Sequence, residues 1–290
     1  MKARIASLMD ELSPEEGLNE TPLPDVHLYK STEGKGRVPL CYRQGIIIVG
    51  NGSKMIYLGG RTYTYNPDNY LVLAVPLPAE CEEVATPEDP FLGMLIDINL
   101  TTLHEIITEI EESRGCFDAN PKGQGLFVSE TTGEIRDASL RLLSNLQSPV
   151  EARIIGPGIV REILYRIMCS ENASSLFSLA TKNSSLARID MALKQIHSNY
   201  HTTMDVEELA SMVHMSPSSF HRTFKEVTST SPMQYLKRIR LDKARSLLFE
   251  TGMRVNEAAR EVGYESTTQF SREFKRVFGL SPVNFLNRAG

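Results

Sequence analysis

The C-terminal third of the chain contains an internal repeat, and this repeat limits the possible folds more than any other feature of the sequence. Residues 220–225 align with residues 270–275 at an offset of 50, so that two phenylalanines, an arginine and a lysine coincide. The register continues to the Ser-Pro pairs at 231–232 and 281–282, and it extends upstream after a gap of one residue. A fixed internal period indicates one supersecondary unit that is used twice.

The second copy predicts a helix, a tight turn and another helix. A short amphipathic helix over 255–262 is expected to end at Gly263, because glycine readily takes the positive φ of a sharp turn. Ser266 and Gln269 form a predicted capping box, in which the serine accepts the N3 amide and the glutamine reaches back. The next helix therefore starts at a defined place. Its predicted buried face repeats at i, i+4 and i+7 and consists of Phe270, Phe274 and Val277.

The first copy follows the same plan. A helix over 206–213 leads to a turn at His214 and Met215, and the next helix begins with Ser216 as N-cap and Pro217 at its first position. Its predicted buried face consists of Phe220, Phe224 and Val227.

The first copy departs from the second at two positions. His214 and Ser229 stand where the second copy has Gly263 and Gly279. We therefore expect the turn of the first copy to be strained or looser, and base contacts to come more dependably from the second copy.

Two helices joined by a short turn, the second polar and basic on its outward side, are typical of a helix-turn-helix whose second helix fits the major groove. An all-helical bundle with solvated outer faces is the alternative. Residues 232–249 predict one connecting helix of ~27 Å, which would hold two recognition helices about one duplex turn (~34 Å) apart. A bundle does not require that separation. The predicted inward residues of the connecting helix are Met233, Leu236, Ile239, Ala244, Leu247 and Leu248.

Charge is divided unevenly along the chain. The net charge is -5 overall, but it is +4 over residues 185–290 and -9 over the remainder. This asymmetry favours a polyanion as the partner of the C-terminal part. The longest apolar runs, 46–49 and 70–75, are far shorter than the ~18 residues of a membrane span. The N-terminus meets acidic residues too early for a secretory signal, so we expect a cytoplasmic protein with no membrane partner.

The C-terminal part resembles the AraC/XylS family of bacterial transcription regulators. The resemblance rests on 209–210, 215–225, 240–248 and 262–282. It implies double-stranded promoter DNA as partner, RNA polymerase as a further partner, and a homodimer. It also implies base-reading side chains early on both recognition helices, namely Ser218, His221, Arg222, Thr267, Thr268, Gln269 and Arg272. The cations placed for the phosphate backbone are Lys225, Lys275 and Arg276.

The acidic N-terminal part predicts short antiparallel strands over residues 37–98, as in a small barrel or jelly roll. Asn51-Gly52 predicts a hairpin between 44–49 and 54–58, and Gly59-Gly60 opens the next turn. Further strands are predicted at 61–65, 70–75 and 91–98, with a turn at 66–69, and helices at 100–112, 134–146 and 158–169.

This half is similar to the cupin-like N-terminal domain of one branch of the same family, through 39–41, Gly59, 70–72 and 161–166. The cupin metal pattern is not present, since His27 is expected to precede the strands and His104 to lie on a helix. We expect no metal, no cofactor and no catalytic residues. A small-molecule effector is expected, and aromatic and arginine side chains are candidates for its pocket, although a core role is the alternative: Tyr42, Arg43, Tyr57, Arg61, Tyr63 and Tyr65. Cys41, Cys81, Cys116 and Cys169 are expected to be reduced, because their spacing fits no zinc pattern.

The sequence thus predicts an α+β multidomain protein. Residues 1–184 form an effector-sensing and dimerisation domain, with a cupin-like β-barrel at about 20–98 and helices at about 99–180. Residues 185–290 form an all-α DNA-binding domain, with helix-turn-helix motifs at about 205–228 and 254–278. Ser/Asn-rich patches at 170–175 and 181–185 predict a linker with one helical turn. Two alternatives are an N-terminal domain that only dimerises or binds a protein, and a cupin-type enzyme with a helix-turn-helix appendage.

Overall fold

A computed structural model describes residues 1–114, 124–181 and 183–289. They fall into two compact units. The first comprises 1–37, 43–76 and 81–187, and the second comprises 38–42, 77–80 and 188 onward. Cys116 lies outside the described residues, Cys41 and Cys169 are free thiols, and Cys81 is buried. None of the helices in the described ranges combines the length and apolar character that a membrane crossing needs.

The strands of the N-terminal part form two sheets. The six-stranded sheet has the order β1-β2-β9-β4-β7-β10 and the four-stranded sheet has the order β3-β8-β5-β6. The bounds are β1 Gly17–Glu20, β2 Val26–Ser31, β3 Lys35–Tyr42, β4 Gly45–Asn51, β5 Ser53–Leu58, β6 Arg61–Tyr65, β7 Asn69–Leu73, β8 Leu77–Val84, β9 Phe91–Ile96 and β10 Leu126–Glu130. The prediction of an N-terminal β-sheet domain followed by a helical domain is confirmed.

The centre of the larger sheet is buried on both faces, because strands β4 and β7 are covered along almost their whole length. In β5, by contrast, buried and half-buried residues alternate, which is the period of a strand with one face turned to the core. Continuous apolar runs therefore mark the middle of the larger sheet, and alternation marks strand β5 of the smaller one.

One of the two predicted hairpin turns is confirmed and the other is wrong. Gly59 and Gly60 both have positive φ, 59° and 77°, and they join β5 to β6 in antiparallel register. At Asn51 the chain leaves one sheet and enters the other, so β4 and β5 are not a hairpin pair. Gly52 has a φ of 77°, and a Cβ there would lie 3.0 Å from the Cα of Phe91. Close backbone packing at a corner between sheets explains this glycine.

The helices predicted after the strands are confirmed, with an additional strand between the first two. They are α2 Leu100–Arg114, α3 Gly133–Leu146 and α5 Gly156–Met168, to which the structure adds α1 Lys2–Glu11, α4 Pro149–Ile154 and α6 Ser174–Ala180. Strand β10 follows α2 and pairs with β7. The linker prediction is wrong for α6, because Leu176 and Phe177 are buried and belong to the first unit.

The C-terminal part is helical, as predicted. Its helices are α7 Ser185–Asn199, α8 Val206–Met212, α9 Pro217–Thr228, α10 Pro232–Glu250, α11 Val255–Glu261, α12 Thr267–Phe278 and α13 Pro282–Ala289. The connecting helix α10 buries Leu236, Ile239, Ala244 and Leu248, while Leu247 is partly buried. The prediction for Met233 is wrong, since its side chain is 41% exposed and Tyr235 and Leu241 are buried in that part of the helix.

Candidate nucleic-acid interface

Both recognition helices, α9 and α12, begin at a serine cap. Ser216 Oγ accepts a hydrogen bond from the Ser219 amide at 3.4 Å, and Ser266 Oγ accepts one from the Gln269 amide at 3.3 Å. The second half of the predicted capping box is wrong. Gln269 Nε2 donates to Glu273 Oε1 at 3.3 Å, one turn further along α12, and does not reach back to the cap.

The two turns before the recognition helices have the same geometry despite their different sequences. His214 has a φ of 53° and Gly263 one of 84°. The next amide in each unit bonds to an alanine carbonyl at 2.9 Å, from Met215 to Ala210 and from Tyr264 to Ala259. The first turn is therefore strained, because a residue with a Cβ takes a left-handed conformation. It is not looser, since its hydrogen bonds match those of the second.

The recognition helices also end alike. Ser229 and Gly279 are left-handed C-caps with φ of 61° and 76°, and their amides bond to the Lys225 and Lys275 carbonyls at 2.8 and 2.9 Å. The two units thus share their positive-φ residues at the turn and at the C-cap, although the second unit has one more residue, Glu265, before its serine cap.

Aromatic packing decides which face of each recognition helix points outward. Phe220 and Phe224 on α9, and Phe270 and Phe274 on α12, are all 0% exposed. Phe224 meets Tyr235 of α10 edge-on, with ring centroids 5.5 Å apart. Side chains on the opposite side of each helix must therefore face solvent.

The predicted DNA-contacting residues all lie on these outward faces and are exposed. They are Ser218, His221, Arg222 and Lys225 on α9, and Thr267, Thr268, Gln269, Arg272, Lys275 and Arg276 on α12. Within the described part of the chain, their five lysine and arginine side chains form no ion pair, so their charge is available to a partner.

A hydrogen-bond network around Glu273 of α12 was not predicted from the sequence. Glu273 accepts hydrogen bonds from Lys237 Nζ at 2.9 Å and from the Tyr264 hydroxyl at 2.8 Å, in addition to Gln269. Burial acts to raise the pKa of Glu273, but these three hydrogen bonds and the Lys237 charge outweigh it and lower the pKa. The carboxylate is therefore ionised at neutral pH and can only accept, and it engages one of the two N–H donors of the Gln269 amide.

Arg240 on α10 was also missed. Its guanidinium donates to three backbone carbonyls, those of Tyr200 at 2.7 Å, Thr202 at 2.8 Å and Gly263 at 3.0 Å. These carbonyls belong to the segment after α7 and to the turn of the second unit. A local sequence pattern cannot predict these contacts, because the partners lie 23 to 40 residues from Arg240 along the chain.

Comparison with known proteins agrees with this geometry. Residues 22–175 match the family described as the AraC-type transcriptional regulator N-terminus, and residues 209–288 match a helix-turn-helix domain family. The first match alone covers more than half of the chain.

The chain belongs to the AraC-type transcriptional regulators. It is 26% identical over 162 residues to the lactose operon transcription activator of Staphylococcus xylosus, covering 55% of this chain and 57% of that protein. It is 34% identical over 123 residues to the transcriptional activator RhaS of Klebsiella pneumoniae, covering 42% and 44%. The chain thus matches about half the length of these curated relatives.

The fold of the regulator is shared with ToxT of Vibrio cholerae. The apo structure from strain SCE256 superposes with a TM-score of 0.60 at 12% identity, covering 95% of this chain and all of that one. A second ToxT structure, described as bound to an unsaturated fatty acid, gives 0.54 at 14% identity. At these identities the likeness concerns the fold. Membership of the family assigns this protein to the transcriptional regulators and not to the enzymes, and this assignment does not depend on whether a catalytic site is found.

The candidate effector residues of the N-terminal part are scattered. Tyr65 is 1% exposed and packs edge-on against Phe91, as in a core. Tyr42 is buried, Tyr57 donates to Glu82 at 2.6 Å and carries Arg37 over its ring at 4.1 Å, and Arg43 pairs with Asp97 at 3.0 Å. Arg61 is exposed and Tyr63 is half-buried on β6.

None of these six lines the open cleft of about 410 Å³ between α2 and α5. Its lining includes Ile106, Ile110, Arg161 and Tyr165. Arg161 is already held by two carboxylates, Glu105 at 2.9 Å and Glu109 at 2.8 Å. The cleft therefore lies apart from the six residues that the sequence indicates as candidates for an effector pocket.

A buried ion pair lies between the two sheets. Lys54 Nζ is 2.5 Å from Glu83 Oε2, with side chains 8% and 2% exposed. The ammonium also sits 3.9 Å from the ring centre of Tyr29 and 4.2 Å from that of Phe91. Strand alternation alone did not reveal it, because lysine and glutamate are usually placed on the solvent side.

The histidines are placed differently from one expectation. His27 lies on β2, so the prediction that it precedes the strands is wrong, while His104 lies on α2 as predicted. His27 Nδ1 is 3.1 Å from Glu20 and Nε2 is 3.8 Å from Asp97. Among the described residues, no group of three His, Cys, Asp or Glu is arranged to hold a metal ion.

Proposed function

We propose that this protein binds specific promoter DNA and regulates transcription there, with α9 and α12 entering successive major grooves. The observation that carries the proposal is that the two helix-turn-helix units share left-handed residues at both turns and both C-caps. Family membership supports it, as do relatives that are named as transcription activators.

The exposed outward residues take two roles in this proposal. Arg272 reads guanine through the two acceptors of its major-groove edge, worth ~1–3 kcal/mol of discrimination. Ser218, His221, Arg222, Thr267 and Thr268 complete the base-reading set. Lys225, Lys275 and Arg276 contact phosphates, which fix position without reading sequence.

Gln269 is oriented by its bond to Glu273. One of the two N–H donors of its amide is used in that bond, so one N–H donor and the carbonyl oxygen are left for DNA. These are the groups that a glutamine uses in a bidentate contact with adenine, and the bond to Glu273 restricts the directions in which they can point.

The N-terminal part senses a signal, pairs the subunits of a homodimer and controls the DNA-binding part, which in turn acts on RNA polymerase in the cytoplasm. A small molecule supplies the signal. Support comes from the two-sheet fold, from the family match over 22–175, and from a fold neighbour described as bound to a fatty acid. A ligand controls such a protein only through a difference in affinity between two states.

Genome-wide footprinting of the full chain tests the DNA function. Wild type is expected to occupy a small set of promoters, and Arg272→Ala to lose that occupancy while keeping its fold. Transcript levels of the bound genes then show the direction of control. Occupancy spread evenly over the genome, unchanged by Arg272→Ala, would contradict the proposal.

Calorimetry separates the roles of the N-terminal part. Titration of the full chain with compounds related to the products of the footprinted genes is expected to give one saturable binding event that changes operator affinity. A promoter response without any such binding would instead assign the N-terminal part to dimerisation or to a protein partner.

A further inference from the structure

We propose that Lys237, Arg240 and Glu273 form a polar clamp that fixes the second helix-turn-helix unit on helix α10 and thereby sets the spacing of the DNA half-sites that the protein accepts. This inference rests on the proposed DNA binding. Hereafter the clamp means these three side chains.

Arg240 joins three segments at one point. Its three donors reach the Tyr200, Thr202 and Gly263 carbonyls within 3.0 Å, so α10, the segment after α7 and the turn of the second unit share one guanidinium. A guanidinium is a rigid, always charged fork, and charge-assisted bonds are stronger than neutral ones. The turn cannot shift along α10 without breaking them.

Lys237 lies one turn before Arg240 and acts on the recognition helix itself. At i and i+3 the two side chains share a face of α10. Lys237 Nζ reaches Glu273 Oε1 at 2.9 Å, and the other carboxylate oxygen accepts the Tyr264 hydroxyl at 2.8 Å. Glu273 is only 12% exposed, so water competes little for it. These bonds fix the rotation of α12 about its own axis, and with it the direction of Arg272.

The turn is packed directly against the clamp. A Cβ at Gly263 would lie 2.4 Å from the His201 carbonyl oxygen and 3.1 Å from Arg240 Nη2. The absence of a side chain at Gly263 is what allows the guanidinium to reach this backbone.

The first unit is attached differently. The positions that correspond to Tyr264 and Glu273 are Met215 and Thr223, which cannot form the same ionic network. There α10 contributes Tyr235, which packs on Phe224 and whose hydroxyl forms a hydrogen bond with His197 Nε2 at 2.8 Å. The second unit also packs on α10 through an apolar core, in which Leu241, Ala244 and Leu248 join the phenylalanines of α12. The clamp adds charged contacts to that core, and the corresponding positions of the first unit lack the groups to form them. Weakening the clamp should change the placement of the second unit while leaving both aromatic cores intact.

The test measures spacing tolerance of the full chain. An operator with two half-sites is first selected from random duplexes by the wild type. Binding is then compared on duplexes with one or two base pairs added or removed between the half-sites. Wild type is expected to lose roughly a hundredfold in affinity on the altered spacings, since each added base pair turns one groove away from its helix.

Lys237→Gln and Glu273→Gln are expected to flatten this dependence. Affinity for the selected spacing should fall about tenfold, near the lower end of the effect of one lost charge-assisted bond, while altered spacings come within about threefold of it. Lys243→Gln, an exposed lysine on the same helix, is the matched control and should keep the wild-type profile. Arg240→Lys, which retains the charge without the fork, should also flatten the profile.

Two results separate failure of the clamp from failure of the proposed function. If wild type prefers one spacing and the clamp variants keep that same relative preference, or lose affinity equally at every spacing, the clamp is overturned. If wild type selects no duplex over random DNA, DNA binding itself is overturned.

Discussion

Substitutions at the two equivalent turn positions, Gly263 and His214, should change the stability of their units differently. Gly263→Ala places a Cβ 2.4 Å from the His201 carbonyl oxygen and 2.9 Å from its carbonyl carbon. Both are backbone atoms, so the turn itself must move. The left-handed conformation, with φ of 84°, adds ~1–2 kcal/mol for a residue with a Cβ.

The displaced turn should also lose at least one bond to Arg240, worth ~1.5–3 kcal/mol as a bond to a charged group. The expected destabilisation of the second unit is therefore about 2.5–5 kcal/mol. His214→Gly relieves the same backbone strain in the first unit but makes the unfolded chain more flexible by ~0.5–1 kcal/mol. Its expected effect is neutral to stabilising, within about 1 kcal/mol.

Amide hydrogen exchange provides matched probes for this comparison. The Tyr264 and Met215 amides both bond to an alanine carbonyl at 2.9 Å, one in each unit. Gly263→Ala should speed exchange at Tyr264 by a hundredfold or more, since ~3 kcal/mol is about two factors of ten, and leave Met215 unchanged. Unaltered exchange at Tyr264 would refute the steric reasoning, and faster exchange at Met215 in His214→Gly would refute the strain reasoning.

Three further changes test other parts of the molecule. Lys54→Met should destabilise the N-terminal unit by ~3–5 kcal/mol, because Glu83 is left charged and buried. The double variant Lys54→Met with Glu83→Leu should recover most of that stability in calorimetry. Additive losses would contradict the buried pair. Arg272→Ala should weaken operator binding by ~1–3 kcal/mol at one base position, whereas Lys275→Ala should weaken all sequences and lower the salt slope by about 1, so identical salt and sequence profiles would count against the assigned roles. Burial, followed by the Lys243 charge, lowers the pKa of His197 to about 4. As the pH is lowered, the unfolded chain therefore takes up this proton before the folded one, and the free energy of unfolding should decrease between about pH 6.5 and pH 4. In urea unfolding His197→Gln should remove that part of the pH dependence, and an unchanged dependence on pH would contradict the assignment.

The helix-turn-helix units could be predicted from sequence because their signals are local. Serine caps, Pro217, Gly263 and phenylalanines at helical spacing lie within one stretch of chain, and each acts on its neighbours. The repeat then predicts the same helix-turn-helix a second time. At His214 the residue type differs, but the glycine at the corresponding position of the second copy still indicates a turn with a positive φ.

Features that depend on distant partners could not be predicted. Strand β10 lies beyond a helix and is defined by its pairing with β7. Asn51-Gly52 has the composition of a hairpin turn, but packing against Phe91 makes it a corner between sheets. Arg240 and Glu273 looked like ordinary polar positions of amphipathic helices. Their partners become visible only once three segments of chain have been brought together.

The candidate effector residues stay a prediction, because a strand pattern supplies only part of what a pocket requires. Alternation on β5 and β6 indicates which residues share a face, and Tyr65 does face the core. It does not indicate where two sheets leave space, which depends on the sizes of all side chains between them. The buried charge of Lys54 and Glu83 occupies part of that interior instead.

Hydroxyl-radical footprinting combined with guanine methylation interference on one selected operator shows where the two recognition helices contact DNA. Two clusters of major-groove contacts are expected on the same face of the duplex, with centres separated by about one helical turn, 10–10.5 base pairs. A single cluster, or two clusters on opposite faces, would contradict two recognition helices held in phase by α10.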